Sequence, residues 1–240
     1  MQRSWISLGV AVLALAGSPE SAMAGSTVFS GGNGVAIVSG THIAIGDVVV
    51  GKGPAKTEER KTAGYFGLVL EAPVKMTYTV GATPSMKISA PANILPLVTT
   101  EVKGRNLVIG LSKSVSMEGM IRVEASGPSL ELVTMTGSGD LKLSGESGRK
   151  LAVDVSGSGT VTAAGQVDAA SFDISGSGDV KAASLLTQDL RIDVSGSGTI
   201  SAHAARSVKV DLSGSGDITI AGNPKQRSVD RSGAGEVKFK

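Results

Sequence analysis

One short motif occurs six times in the second half of the chain: Thr136-Gly137-Ser138-Gly139-Asp140, then Ser156 to Thr160, Ser175 to Asp179, Ser195 to Thr199, Ser213 to Asp217 and Ser232 to Glu236. The starts lie 20, 19, 20, 18 and 19 residues apart. A period in this range marks a repeat architecture, in which each unit buries its apolar face only by stacking on its neighbours. The flanks repeat as well. Apolar–Asp–apolar triplets precede the motif at Val153-Asp154-Val155, Phe172-Asp173-Ile174, Ile192-Asp193-Val194 and Val210-Asp211-Leu212, and alternating runs such as Ile218-Thr219-Ile220 follow it. The period is two, that of a strand.

The alternation passes through the glycines without losing phase. Val153, Val155, Gly157, Gly159, Val161 and Ala163 share one face, while Asp154, Ser156, Ser158, Thr160 and Thr162 share the other. Glycine is needed where a side chain has no room or the chain bends sharply, so each Ser-Gly-Ser-Gly reads as an inner corner between two β-segments of one coil. Equivalent positions recur in one chain direction, which favours stacked coils over a sandwich of hairpins. The expected fold is all-β, a right-handed parallel β-helix (β-solenoid) with ~19-residue coils spaced ~4.8 Å apart. In the last coil Arg231 stands where Val155, Ile174, Val194 and Leu212 point inward. A charge there would cap an otherwise open edge.

Two acidic columns follow from this stacking. Asp154, Asp173, Asp193, Asp211 and Asp230 fall in register before the glycines, and Asp140, Thr160, Asp179, Thr199, Asp217 and Glu236 after them. In the second column Lys142, Lys181 and Lys238 lie two residues beyond an acid on the same face and can offset it. The first column has no such relief in sequence. Its aspartates are expected to accept hydrogen bonds from nearby Ser hydroxyls or backbone N–H groups. The alternative is weak bridging of adjacent aspartates by a divalent cation such as Ca²⁺, although a full Ca²⁺ site takes 6–8 oxygens. No other metal, cofactor or catalytic residues are nominated.

Composition closes off other chemistries. The formal charge is +2 and there is no cysteine, so a nucleic-acid footprint, disulfides and thiolate metal sites are not expected. Thirty-three glycines beside 41% hydrophobic residues are too apolar for disorder and too glycine-rich for a helical domain. Arg3, the apolar run Trp5 to Gly17 and Ala22-Met23-Ala24 form a signal peptide over residues 1–24, removed to leave a mature start at Gly25. No transmembrane segment is expected after cleavage. Residues 25–63 read as a Gly-rich N-terminal segment, with Lys52 to Lys61 as a linker or mobile loop.

Residues 64–127 are β-patterned without the motif. Tyr65 to Glu71, Val74 to Val80 and Asn106 to Leu111 read as strands, and Pro91 to Leu97 as a short helical turn. The stretch Phe66-Gly67-Leu68-Val69-Leu70-Glu71, the segment Ala92-Asn93-Ile94-Leu95-Pro96-Leu97-Val98-Thr99-Thr100-Glu101-Val102 and the Ser-Gly-Ser-Gly-Asp coils together resemble the bacterial "putative auto-transporter adhesin, head GIN domain" family over 64–240. The resemblance implies a β-helical fold, an exported envelope protein and an adhesive role, with no catalytic residues. No region after the coils is long enough for a translocator barrel, so the auto-transporter part of that name is not expected to apply.

Weaker motifs fail on their details. Gly46-Asp47-Val48-Val49-Val50-Gly51-Lys52 is followed by Gly53 and Pro54, where a phosphate loop needs Ser or Thr and then a helix. Gly31-Gly32-Asn33-Gly34 has Ala36 where a calcium nonapeptide has Asp. His42 and His203 lie far apart in sequence without a nominated partner. Exposed aromatic platforms for sugars are scarce, since aromatics make up 3% of the chain. The function expected is a non-enzymatic exported envelope protein, periplasmic, surface-bound or secreted, that binds an envelope protein or glycan through the outer faces of the helix. The alternative is a β-helical protein that binds or degrades polysaccharide.

Overall fold

The computed structural model describes the backbone of 27–31, 34–39 and 42–46, and both backbone and side chains of 48–62 and 64–240. The signal peptide at 1–24, the His42 side chain and Gly32-Asn33 lie outside the described residues. The chain forms two units, 1–46 and 47–240. In the first, Thr27–Gly31, Gly34–Ser39 and His42–Gly46 pair as an antiparallel three-stranded meander.

The second unit is a β-solenoid of about five turns. One face, before the glycines, stacks Gly67–Leu70, Leu132–Met135, the second halves of Asp140–Val155, Thr160–Ile174 and Asp179–Val194, then Ser207–Leu212 and Gln226–Arg231. The other face, after the glycines, stacks Val74–Val80, the first halves of the same three long strands, then Ile200–His203, Ile218–Ala221 and Val237–Phe239. All of these pairings are parallel. The motif turns the chain at the glycine edge, and the long strands round the far edge.

The inward phase read from sequence is the buried one. Val153, Val155, Phe172, Ile174, Ile192 and Val194 meet Leu141, Leu143, Val161, Val180, Ile200 and Ile218 between the two faces. Each fully buried aliphatic side chain contributes about 1.5–3 kcal/mol, and most rungs add several.

The glycine edge is a corner through which backbone bonds continue from rung to rung. Ser177 N donates to Gly157 O at 3.1 Å, Ser197 N to Gly176 O at 3.1 Å and Ser215 N to Gly196 O at 3.0 Å. The motif glycines have no positive φ; their requirement is space. A Cβ at Gly176, Gly196, Gly214 or Gly233 would overlap the carbonyl oxygen of the corresponding glycine one rung earlier, and at Gly178 it would lie 2.6 Å from Gly159 O.

The far edge absorbs the variation in rung length. Ser144 pairs with Ala164 but Glu146 with Gly165, which leaves Gly145 as an extra residue at φ 80°. Thr162 pairs with Lys181 but Ala164 with Ser184, a one-residue change of the opposite sense.

The head of the unit departs from pure coils. Ile121–Gly127 stacks parallel on Val74–Val80, but Ser85–Pro91 and Ala55–Glu59 then add antiparallel strands. On the other face Asn106–Leu111 stacks parallel on Gly67–Leu70 and takes Val98–Lys103 antiparallel. Strands 74–80 and 106–111 appear as read, and the short turn is a 3₁₀-helix at Leu95–Leu97. The expected linker at 52–61 is corrected: Ala55–Glu59 is an edge strand, exposed at every residue. Arg60 anchors its end, donating to Val98 O at 2.6 Å and to Thr100 Oγ1 at 3.1 Å.

At the other end Arg231 occupies the inward position opposite Leu212 and donates to Gly235 O at 3.1 Å. Arg227, opposite Val208, lies 4.3 Å over the ring of Phe239. Two cations thus cover the last rung.

Candidate functional site

The strand register places the five aspartates as the repeat predicts. Asp154 pairs with Asp173, Asp173 with Asp193, Asp193 with Asp211 and Asp211 with Asp230. Because side chains alternate across a strand, the buried apolar neighbours of Asp154, Asp173, Asp193 and Asp211 turn these four outward, and the register with Asp211 puts Asp230 in line with them. Asp173, Asp193, Asp211 and Asp230, with Ser195, Ser213 and Ser232, border an open groove of about 460 Å³ on the face before the glycines. A second depression of about 460 Å³ continues it toward Asp154, Lys150 and Arg191.

The expectation that this column lacks relief is corrected. Arg191 lies two residues before Asp193 on the same face, and its Nε is 2.8 Å from Asp193 Oδ2. Its Nη2 donates to Asp193 Oδ1 at 2.9 Å and to Asp211 Oδ2 at 3.1 Å, tying two rungs together. Lys209 Nζ is 3.2 Å from Asp211 Oδ2. Long basic side chains, and not Ser hydroxyls or backbone N–H groups, meet these two carboxylates.

The ladder is electrostatically uneven. Partial burial, with Asp173 alongside, raises the Asp154 carboxyl above its ordinary value, and Lys150 only partly offsets this. Partial burial also raises Asp193 against the pull of Arg191. The hydrogen bond from Lys209 lowers Asp211. Among the described residues no group of three or more His, Cys, Asp or Glu side chains converges to hold a metal ion.

The column after the glycines works differently. Asp179 Oδ1 accepts from Thr199 N at 2.9 Å, and Asp217 Oδ1 from Glu236 N at 3.0 Å. Each acid thereby caps a backbone donor of the next rung. Lys238 Nζ pairs with Glu236 Oε2 at 2.6 Å. Lys142 and Lys181 make no ion pair among the described residues.

The weaker motifs gain no chemistry. Lys52 N donates to Asn93 Oδ1 at 2.8 Å while Asn93 Nδ2 donates to Val50 O at 2.7 Å, so a side-chain clamp holds the loop after Val49–Val50. His203 is half-buried at the far edge, and its carbonyl accepts the Thr187 hydroxyl at 2.5 Å. Among the described residues no helix is long and apolar enough to cross a membrane.

Known structures share this architecture. A putative adhesin of Bacteroides fragilis NCTC 9343 superposes with a TM-score of 0.66 at 20% identity, covering 80% of this chain and 100% of that one. A putative adhesin of Parabacteroides merdae ATCC 43184 gives 0.50 at 18%, covering 80% and 98%. A putative lipid binding protein of Parabacteroides distasonis ATCC 8503 gives 0.50 at 21%, covering 80% and 99%. At such identities the likeness is one of fold. None of the curated proteins matches the chain. Residues 64–224 match the family described as "Putative auto-transporter adhesin, head GIN domain", and the chain belongs to that family.

Proposed function

We propose that this protein is an exported, non-enzymatic envelope component that works as an adhesin-like binding module, with the face before the glycines as its contact surface. The observation that carries the reading is the in-register aspartate ladder along an open groove. A rigid sheet presents the same carboxylate at each rung, which suits an extended partner better than a small enclosed substrate. Membership of an adhesin family supports the same role. Export rests on the leader at 1–24.

The test is retention of the mature chain, 25–240, on envelope fractions and immobilised glycans, beside the variant Asp173→Asn with Asp230→Asn. Saturable retention that the variant reduces supports the ladder as the contact surface. Absence of retention on every fraction overturns the binding reading, and shortening of a glycan during incubation replaces it with polysaccharide degradation. Amino-terminal sequencing from the native host tests export: Gly25 is expected, and an intact Met1 overturns it.

A further inference from the structure

A third concavity lies at the head end of the same unit and has the opposite character. It is a depression of about 440 Å³ whose walls include Phe66, Pro128, Ser129, Glu131, Arg149 and Lys150. Ligand sites for small molecules run from roughly 300 to 1,000 Å³. Among the larger aromatics, Tyr65, Tyr78 and Phe172 are buried, whereas Phe66 is 38% exposed.

Three features make this a built surface. The Phe66 backbone is held on both sides: Phe66 N donates to Arg105 O at 2.8 Å and Glu131 N donates to Phe66 O at 2.7 Å. The Arg105 guanidinium lies 4.6 Å from the ring centroid and 3.6 Å from Glu131, so this cation is already positioned. Beneath, Ser129 Oγ donates to Glu146 Oε2 at 2.7 Å and accepts from Ser147 N at 3.2 Å, while Leu130 N donates to the same carboxylate oxygen at 3.0 Å. Glu146 is 1% exposed, so it fixes the floor without presenting its charge.

The balance of charge then selects the ligand. Glu131 is matched by Arg105, whereas Arg149 and Lys150 line the depression without an ion pair among the described residues, Lys150 acting on Asp154 only through space. The guanidinium fork of arginine suits a carboxylate bidentately, and an aromatic ring offers its face to an apolar surface. A free anion would use the cations but not the ring, and a neutral sugar the ring but not the cations. We propose that the Phe66 depression is a binding subsite for one acidic sugar unit of a glycan, with the sugar ring against Phe66 and its carboxylate on Arg149 and Lys150. The single exposed ring makes this a one-residue subsite and not a cleft. This subsite goes beyond the adhesin-like reading; it adjoins the aspartate ladder at Lys150, which borders both depressions, whereas Phe66 and Arg149 line this one and not the one beside Asp154.

Isothermal titration of the mature protein with tetragalacturonate, with the neutral tetrasaccharide cellotetraose and with inorganic phosphate tests it. Tetragalacturonate is expected to bind saturably, cellotetraose and phosphate much more weakly. Phe66→Ser should weaken tetragalacturonate about tenfold or less, the scale of one aromatic contact, and Arg149→Gln with Lys150→Gln should abolish it. Both variants lie at the surface, and an unchanged melting midpoint shows that they fold. Asp173→Asn with Asp230→Asn should leave this binding unchanged, which separates it from the ladder. No binding of tetragalacturonate overturns the proposal. So does equal binding of phosphate that ignores Phe66→Ser, which would reveal a simple anion patch, or equal binding of cellotetraose.

Discussion

The two edges of the solenoid do the same job, reversing the chain between two faces, and do it in opposite ways. At the glycine edge every rung uses one motif, and successive backbones approach so closely that the carbonyl of one rung fills the space of a Cβ in the next. At the far edge no motif recurs. Gly145, Gly165 and Gly222 take positive φ, as does Asn223 at φ 51°, and side chains fill what the backbone leaves open. Glu146 is buried there, Thr187 bonds the His203 carbonyl, and Asp189 accepts from Arg206 Nε at 2.9 Å and Ser207 Oγ at 2.6 Å. Sequence repeats where backbone meets backbone, because only one residue fits. At the far edge a Cβ would meet a backbone carbonyl at single positions, Gly165 against Glu146 O and Gly222 against Ala204 O, and sequence drifts elsewhere because many side-chain combinations fill a gap.

One substitution at the glycine edge and one inserted residue at the far edge should have unequal effects. Gly196→Ala puts a methyl on the Gly176 carbonyl and should cost about 3 kcal/mol or more, the upper range for overpacking, read from urea unfolding. An alanine inserted after Leu186, a far-edge residue 47% exposed, should cost about 1 kcal/mol, since that edge already takes up length changes. Equal losses would show that both edges are equally constrained.

A smaller effect is expected from pH. Burial raises the Glu146 carboxyl, so the folded state holds its proton more tightly than the unfolded one. That contribution is complete below the ordinary carboxylate value and is lost as pH rises through the raised one. Asp189 has the opposite sign: hydrogen bonds from Arg206 and Ser207 hold it at about 2, so its contribution is present above its ordinary value and is lost as pH falls. Glu146→Gln should remove the loss on the alkaline side and leave the acid side alone. Arg206→Gln should do the reverse. Melting midpoints between pH 3 and pH 8 read both, and matching profiles for the two variants would refute the assignment.

The smallest effect belongs to the ladder. Arg191→Gln leaves Asp193 and Asp211 facing each other and should cost up to about 1 kcal/mol, as for other exposed ion pairs, with part of it recovered in high salt. Millimolar Ca²⁺ is expected to leave the midpoint of the parent protein unchanged. A rise with Ca²⁺, reversed by chelator, would mean that a cation bridges adjacent aspartates after all.

What could be read beforehand follows the same division. The period, the buried phase, the corners and the aspartate register were all legible, because each follows from a backbone constraint that repeats. Relief of the ladder by Arg191 and Lys209 is legible in principle, since both lie two residues before an aspartate and on its face. Ala55–Glu59 was not legible as a strand. Its sequence, Ala-Lys-Thr-Glu-Glu, has no apolar alternation, because an outermost strand needs only backbone bonds to one neighbour and is kept soluble by charge. The Phe66 depression was hidden for another reason. Phe66, Ser129 and Arg149 are far apart in sequence and meet only because Leu132–Met135 stacks between Gly67–Leu70 and the strand that ends at Val155.

The stacking that runs through the glycine edge also makes the second unit a ruler. Each rung is fixed to the next at a spacing of ~4.8 Å, with no hinge at the corner to stretch or fold. The distance from the Phe66 depression to the arginines of the last rung is therefore set by the number of rungs between them. Duplicating one ~19-residue unit would lengthen that span by one graduation and leave each contact within the remaining rungs as it was.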